Sequence, residues 1–353
     1  MSGAHDASTD QRPLVALAMG DPAGISSELA ARLIGSATVE AVARLVVIGD
    51  RRILEGGARA VGLVLNIETV DGGAIGPAKK PVLIDLNNLE PSDVSFGEAT
   101  LAGGRFAVEN FSLALKLAYA GRVDAVCYTP FNKKAMRYAH PGYDDESRFI
   151  SELLCLSSRV REFNVLDTVW NARVTSHIPL KDVAASLSKE AILAEIGLTI
   201  DCLKRSGVKA PRLLVAGLNP HAGDGGSFGM EEIDVIGPAV EAAISSGFDV
   251  SGPHPADTVF LTALKGGYHA VLTMYHDQGQ IAMKLMGFDR GVTMLGGLPF
   301  PVCTPAHGTA YDIAGKGIGN SRASEEAVLL AARMATTPAA AGHASLHRMA
   351  YDG

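Results

Sequence analysis

Apolar and polar positions fall into alternating blocks along the chain. Short apolar runs, each stopped by glycine, proline or aspartate, are followed by longer stretches with helical spacing. LVALAMG at 14–20 predicts a buried strand that stops at Gly20-Asp21-Pro22-Ala23-Gly24-Ile25, with Asp21 capping the next helix and Pro22 in its first position. RLVVIGD at 44–50, the stretch at 63–67 and DAVCYTP at 124–130 repeat the strand signal. Residues 97–120 read as a long amphipathic helix, weakened in its first half by Gly103-Gly104. Further strands are expected at 163–168, 170–176, 212–220 and 268–274, and helices at 145–157, 188–207 and from about 230–233. This alternation predicts an α/β protein: two α/β/α domains with mainly parallel sheets and a cleft between them. No internal repeat is present.

A chain of 353 residues suits two cores better than one. The polar stretch after Pro130 is read as a domain crossing. Residues 14–130 with 286–335 are expected to form an outer domain and 131–285 an inner, metal-binding and dimerising one, with 1–13 a disordered lead and 336–353 a frayed tail.

Composition narrows the function classes. A net charge of −7 gives no basic footprint for nucleic acid. The N-terminal residues carry no secretory apolar segment and no run is long enough to span a membrane, so a cytoplasmic protein without membrane partners is expected. Cys127, Cys155, Cys202 and Cys303 lack CxxC spacing, which fits thiols rather than disulfides or a zinc knot.

The chemistry gathers in Tyr275–Asn320, where a histidine beside a carboxylate, a glycine-paced loop and a second histidine before Gly-Thr sit among apolar runs. His177 in VTSHIPL, His221 in GLNPHAGDGG and His276 in TMYHDQG each follow a predicted strand. Ligands collect at the carboxyl ends of parallel strands, so the three imidazoles are candidates for one catalytic metal site. Their spacing matches no local metal motif, and simple turns between strands are the competing reading.

GDPAGI, NPHAGDGG, GPHPADTVF, YHDQG and HGTAYDIAGKG, in this order, resemble the motifs of the 4-hydroxythreonine-4-phosphate dehydrogenase family from about residue 14 to 335. That family is similar in fold to isocitrate and isopropylmalate dehydrogenases. The resemblance implies a homodimer with a shared active site and a divalent ion on His177, His221 and His276, zinc first and magnesium, manganese or cobalt next. It also implies NAD, bound by Gly297, His307, Gly308, Thr309 and Asp312. The reaction implied is oxidation of a hydroxyl β to a carboxylate, with decarboxylation. Lys284 and Asp257 are the candidates for substrate positioning and proton transfer; a solvated lysine and a helix cap are the competing readings. Asp312 implies NAD over NADP because a carboxylate accepts from ribose hydroxyls and repels a 2′-phosphate, although a helix cap would use the same residue.

One feature departs from the family. Its phosphate pocket, a His-Thr pair with Lys, Asn and Arg, falls here on Glu146, Ser147, Lys284, Thr293 and Val302, with Arg148 free to serve a carboxylate. The expectation is therefore an unphosphorylated hydroxy acid or cis-dihydrodiol, as in the terephthalate dihydrodiol branch, ahead of 4-phosphohydroxy-L-threonine. A solute-binding protein and a metal hydrolase indifferent to NAD are the rivals from other classes.

Overall fold

The computed structural model describes residues 10–71, 75, 80–157, 159–287 and 289–337. Residues 1–9 of the expected lead and 338–353 of the expected tail lie outside them. The chain folds as two compact units, one running to Ser158 and resuming over Pro299–Thr336, the other spanning Arg159–Leu298.

The first unit opens with β1 (Leu14–Ala18), α1 (Ser26–Ile34), α2 (Ala37–Val42), β2 (Arg44–Gly49), α3 (Arg51–Ala60), β3 (Glu68–Thr69) and β4 (Val82–Asp85). It continues through α4 (Leu101–Tyr119), β5 (Ala125–Tyr128), α5 (Lys133–Ala139) and α6 (Glu146–Leu153). The second unit comprises β6 (Arg161–Val165), β7 (Trp170–Arg173), α7 (Val183–Ser186), α8 (Lys189–Arg205), β8 (Leu213–Ala216), α9 (Gly237–Ser245), β9 (Val250–His254), α10 (Val259–Gly266), β10 (Ala270–Thr273), α11 (His276–Gly287) and β11 (Val292–Gly296). The chain then returns to the first unit with β12 (Val302–Pro305) and α12 (Arg322–Thr336).

The first unit's strands lie in the order β3-β4-β2-β1-β5-β12, and every pair is parallel. Such strands are covered on both faces, which is why β1, β2 and β5 are almost wholly apolar and buried. In the second unit the order is β11-β6-β7-β10-β8-β9. There β7, β10, β8 and β9 are parallel, while β6 runs antiparallel to both β7 and β11. The α/β class and the mainly parallel sheets are as expected. No described helix is long and apolar enough to cross a membrane.

Several local readings are corrected. The helix after β1 begins at Ser26 rather than Pro22, and Asp21 does not cap it; its Oδ1 instead accepts from Ala23 N at 2.9 Å, closing a tight turn. Residues 63–67 form no strand and Val64 is 98% exposed. The short strands β3, β4 and β9 were not foreseen, and the apolar signal of β9 is broken by Gly252-Pro253. α4 runs unbroken through Gly103-Gly104, and a Cβ on Gly104 would stand 2.0 Å from Ala135 O, so the glycine is what lets α5 seat against α4.

That packing also moves the domain boundary. Phe111 on α4 meets Phe131 at 5.0 Å and Phe149 at 5.8 Å between ring centroids, fastening the polar stretch 131–158 to the first unit. Its polar residues are the solvent face of two helices rather than a crossing. At the other end β11 pairs with β6, which keeps residues up to Leu298 in the second unit. Thr336 is the last residue of α12, so the described chain stays helical into the expected tail.

Candidate functional site

In the second unit the ends of β7, β8 and β10 each lead into a histidine. His276 opens α11 directly after β10, and its ring lies 5.6 Å from that of His177, which follows β7. The four residues of HDQG divide the work. Asp277 Oδ1 accepts from His276 Nδ1 at 2.7 Å; a carboxylate only accepts, so Nδ1 carries a hydrogen, and in the neutral ring that tautomer leaves the lone pair on Nε2. Gln278 takes Met274 N at 2.7 Å and donates to Gly217 O at 2.8 Å, tying the end of β10 to the turn after β8. Gly279 lies on Asn171 of β7 so closely that a Cβ would stand 2.2 Å from Asn171 Oδ1. On the same strand, buried Arg173 donates through Nε to Ser176 Oγ at 3.1 Å and through Nη1 to Asn164 Oδ1 at 2.7 Å, and pairs with Glu162 at 2.8 Å. It braces the turn that gives His177 its φ of 21°. The sequence reading passed over Arg173, although a lone arginine in the run WNARVTS is itself a signal for a paired buried charge.

His221 is presented differently. It begins a left-handed run through Ala222, Gly223, Asp224 and Gly225, with φ values of 53°, 52°, 82°, 44° and 64°. A left-handed helical conformation costs a non-glycine residue about 1–2 kcal/mol, so three such residues in one run need a strong external support. That support is Glu232, which begins the single π-turn Glu232–Ile236. Its Oε1 accepts from Leu218 N and Asn219 N, each at 2.7 Å, and its Oε2 from Asn219 Nδ2 at 2.9 Å. The exposed ring of His221 packs beside Phe228 at 6.2 Å.

His177, His276 and Asp277 fit two arms of a metal site: two imidazoles at ligand spacing, one with its second nitrogen fixed by a carboxylate. Among the described residues of one chain, no three His, Cys, Asp or Glu side chains gather into a set that holds an ion, so His221 does not complete the site within the chain.

The first unit holds the second candidate constellation. His307 Nδ1 lies 3.0 Å from Gly308 O, while Nε2 is buried without a partner among the described residues. A Cβ on Gly308 would meet nothing within 4 Å, so the backbone there is open to a ligand. This combination of orphaned donor or acceptor and open backbone fits a dinucleotide. The loop is clamped by the N-terminal turn. Ile25 N donates to Thr309 O at 3.0 Å, Tyr311 OH to Asp21 Oδ2 at 2.5 Å, Gly315 N to Glu28 Oε1 at 2.6 Å and Arg32 Nη2 to Gly317 O at 2.6 Å. Burial of Asp21 raises its pKa, only partly opposed by the bonds from Tyr311 and Ala23; burial likewise raises that of Tyr311. Asp312 is exposed in the turn Tyr311–Ile313, whose cap position is Ala310 with no side-chain bond, so its carboxylate does not serve as a cap.

The remaining candidates are dispersed. Lys284 is exposed on α11, eight positions after His276. Asp257 is exposed ahead of α10, where Thr258 occupies the cap position. Gly297, with φ of 85°, turns tightly after β11, a Cβ there standing 2.4 Å from Arg159 O. Glu146 Oε1 accepts from Tyr143 OH at 2.8 Å, and Ser147 O accepts from Ser151 Oγ at 2.8 Å. Arg148 is not free for a carboxylate, since it pairs with Asp144 at 2.5 Å and Glu152 at 2.7 Å. Thr293 lies in β11 opposite Asn164. Val302 is 0% exposed in β12 opposite Val126. A side chain sealed in the core says nothing about a ligand, so its lack of a guanidinium is not evidence against phosphate.

The family model described as pyridoxal phosphate biosynthetic protein PdxA matches residues 41–331. A chain of Rhizobium meliloti (strain 1021), provisionally named 4-hydroxythreonine-4-phosphate dehydrogenase 2, is 65% identical over 336 residues, 95% of this chain and 96% of that one. The crystal structure of 4-hydroxythreonine-4-phosphate dehydrogenase from Klebsiella pneumoniae superposes with a TM-score of 0.80 at 33% identity, covering 93% of this chain and 99% of that one. A terephthalate 1,2-cis-dihydrodiol dehydrogenase from Burkholderia xenovorans LB400 covers 92% of this chain and 98% of its own, but with a TM-score of 0.65 and 26% identity. These similarities overturn the expected unphosphorylated hydroxy acid or dihydrodiol: the far stronger likeness is to chains named for a phosphorylated substrate. They equally remove the solute-binding and hydrolase readings in favour of an oxidoreductase.

Proposed function

The chain belongs to the PdxA family, and from that premise we propose that it oxidises 4-phosphohydroxy-L-threonine with NAD and a divalent ion, with loss of the substrate carboxylate as CO2. The observation that carries the reading is the convergence of His177 and His276 at parallel strand ends, with Asp277 fixing one ring.

His177, His221 and His276 would hold the ion, with zinc favoured by an all-imidazole set and magnesium, manganese or cobalt as the other options. Bound there, it supplies a Lewis acid for the substrate's oxygens. His221 would come from a second copy of the chain, which accounts for its exposed ring and its separation from the other two. A homodimer is further supported by apolar side chains left open on the second unit, among them Leu285 and Ile281 on α11 itself. NAD would lie on the loop of His307, Gly308, Thr309 and Asp312. Asp312 would accept from the adenosine ribose, and His307 Nε2 would gain the partner it lacks. Lys284, the one cation kept from the family's phosphate pocket, would meet the substrate phosphate. Asp257 would take or deliver a proton.

The test compares initial rates of nicotinamide reduction on 4-phosphohydroxy-L-threonine and on its dephosphorylated form, before and after a chelator. The reading expects the phosphorylated compound to be preferred at least tenfold in kcat/KM, roughly 1.4 kcal/mol, and chelation to stop turnover. Equal rates on the two compounds, or full activity in chelator, would contradict it.

A further inference from the structure

Resting on the reading of His221 as a metal ligand, we infer that Glu232 is the positioning residue that makes His221 available to the ion. A histidine does not hold a left-handed backbone by itself, and neither do its neighbours Ala222 and Asp224. Backbone bonds from Ser227 N to Asp224 O and from Phe228 N to Gly223 O close the far end of the run, and the support at its near end converges on one buried carboxylate. Glu232 is 4% exposed, and its two oxygens collect the amides of Leu218 and Asn219 and the side-chain amide of Asn219. Asn219 in turn closes the run from inside, its carbonyl accepting from Ala222 N at 3.1 Å.

The glycines of the motif are spaced to this carboxylate. A Cβ on Gly217 would lie 2.9 Å from Glu232 Oε1, and one on Gly223 would lie 2.8 Å from Oε2. The same Gly217 offers its carbonyl to Gln278, two residues after His276. Glu232 therefore fixes the turn that carries one imidazole and adjoins the anchor of another. Its neighbour Glu231 accepts from the side chain of Asn219 at 2.6 Å, whereas the amides of Leu218 and Asn219 go to Glu232.

A role that was only structural would show in the melting temperature; a positioning role shows in the affinity for the ion at a temperature where every variant is folded. The experiment titrates the metal-free, full-length protein with Co²⁺, read from its visible absorption, for wild type, Glu232→Gln, Glu231→Gln and His221→Ala. Glu232→Gln keeps the size of the side chain but sets an amide hydrogen against the Asn219 donor. It is expected to weaken Co²⁺ binding at least tenfold, with Glu231→Gln changing it less than threefold. Should Glu232→Gln fail to fold, Asn219→Ala removes the bonds to Glu232 Oε2 and to Glu231 while leaving both backbone bonds to Glu232 Oε1, and is expected to weaken binding at least threefold, with Glu231→Gln showing the share that belongs to Glu231. His221→Ala separates the two levels of the argument. If it binds Co²⁺ as wild type does, the metal reading of His221 fails. If it loses binding while Glu232→Gln, or Asn219→Ala in its place, binds as wild type, the positioning role alone is overturned.

Discussion

Gly279 presses against Asn171 so closely that a methyl group would stand 2.2 Å from the Asn171 Oδ1 atom. This contact seats α11 on β7 and sets where His276, three residues earlier, meets His177. Gly279→Ala is expected to lower kcat/KM at least tenfold, about 1.4 kcal/mol in the barrier, by lifting the first turn of α11 from the sheet. Steady-state kinetics on the folded variant check this; unchanged kcat/KM would mean that the seat of α11 does not govern His276.

The hydrogen bond from Tyr311 to Asp21 joins the N-terminal turn to the loop assigned to NAD. Tyr311→Phe leaves a buried carboxylate with one bond fewer, and a bond to such a group is worth about 1–3 kcal/mol. The variant should lose about that much unfolding free energy in denaturant titrations and show a higher KM for NAD with kcat changed much less. A loss confined to kcat would argue that the clamp does not act through the cofactor loop.

Stability should also depend on pH through Glu195, which burial pushes up to about 7 against the opposing pull of Arg161. Its folded pKa lies above the ordinary glutamate value of 4.5, so the folded state holds the proton more tightly. Its contribution is full below about pH 4.5 and is lost as the pH rises toward 7. Denaturant midpoints across this window should fall with rising pH in the wild type, and the component should vanish in Glu195→Gln. A midpoint difference between the two proteins that stays constant with pH would contradict this.

Much of this was legible in the sequence because apolar runs and helix caps are local. β1, β2, β5 and β10 are continuous apolar segments, and α4, α6 and α8 start where Thr100, Asp145 and Ser188 accept from the first turn. Other features depended on contacts distant in sequence. The seating of Gly104 on Ala135 turned an apparent weak point into a packing surface. The polar face of α5 and α6 looked like a domain crossing until their aromatic contacts with Phe111 were seen. The three histidines were found from their places after strands, whereas Glu232 was missed because the glycine-paced run before it drew the reading to the loop rather than its support. The substrate was misjudged through Val302, whose burial in β12 no local pattern reveals.

On the proposed reading Asp312 would set the cofactor preference. It is exposed and makes no cap, so replacing it leaves the turn intact. Asp312→Lys should shift the ratio of kcat/KM for NAD over NADP toward NADP by at least tenfold, because a cation replaces like-charge repulsion of the 2′-phosphate. An unchanged ratio would remove Asp312 from the ribose site.

The central claim, oxidation coupled to decarboxylation of a phosphorylated substrate, is tested most directly by product stoichiometry. Purified protein supplied with 4-phosphohydroxy-L-threonine, NAD and a divalent ion should release CO2 and NADH in equal amounts until the substrate is consumed. NADH without CO2, or neither product from this substrate when the folded protein is supplied with a divalent ion, would contradict the account.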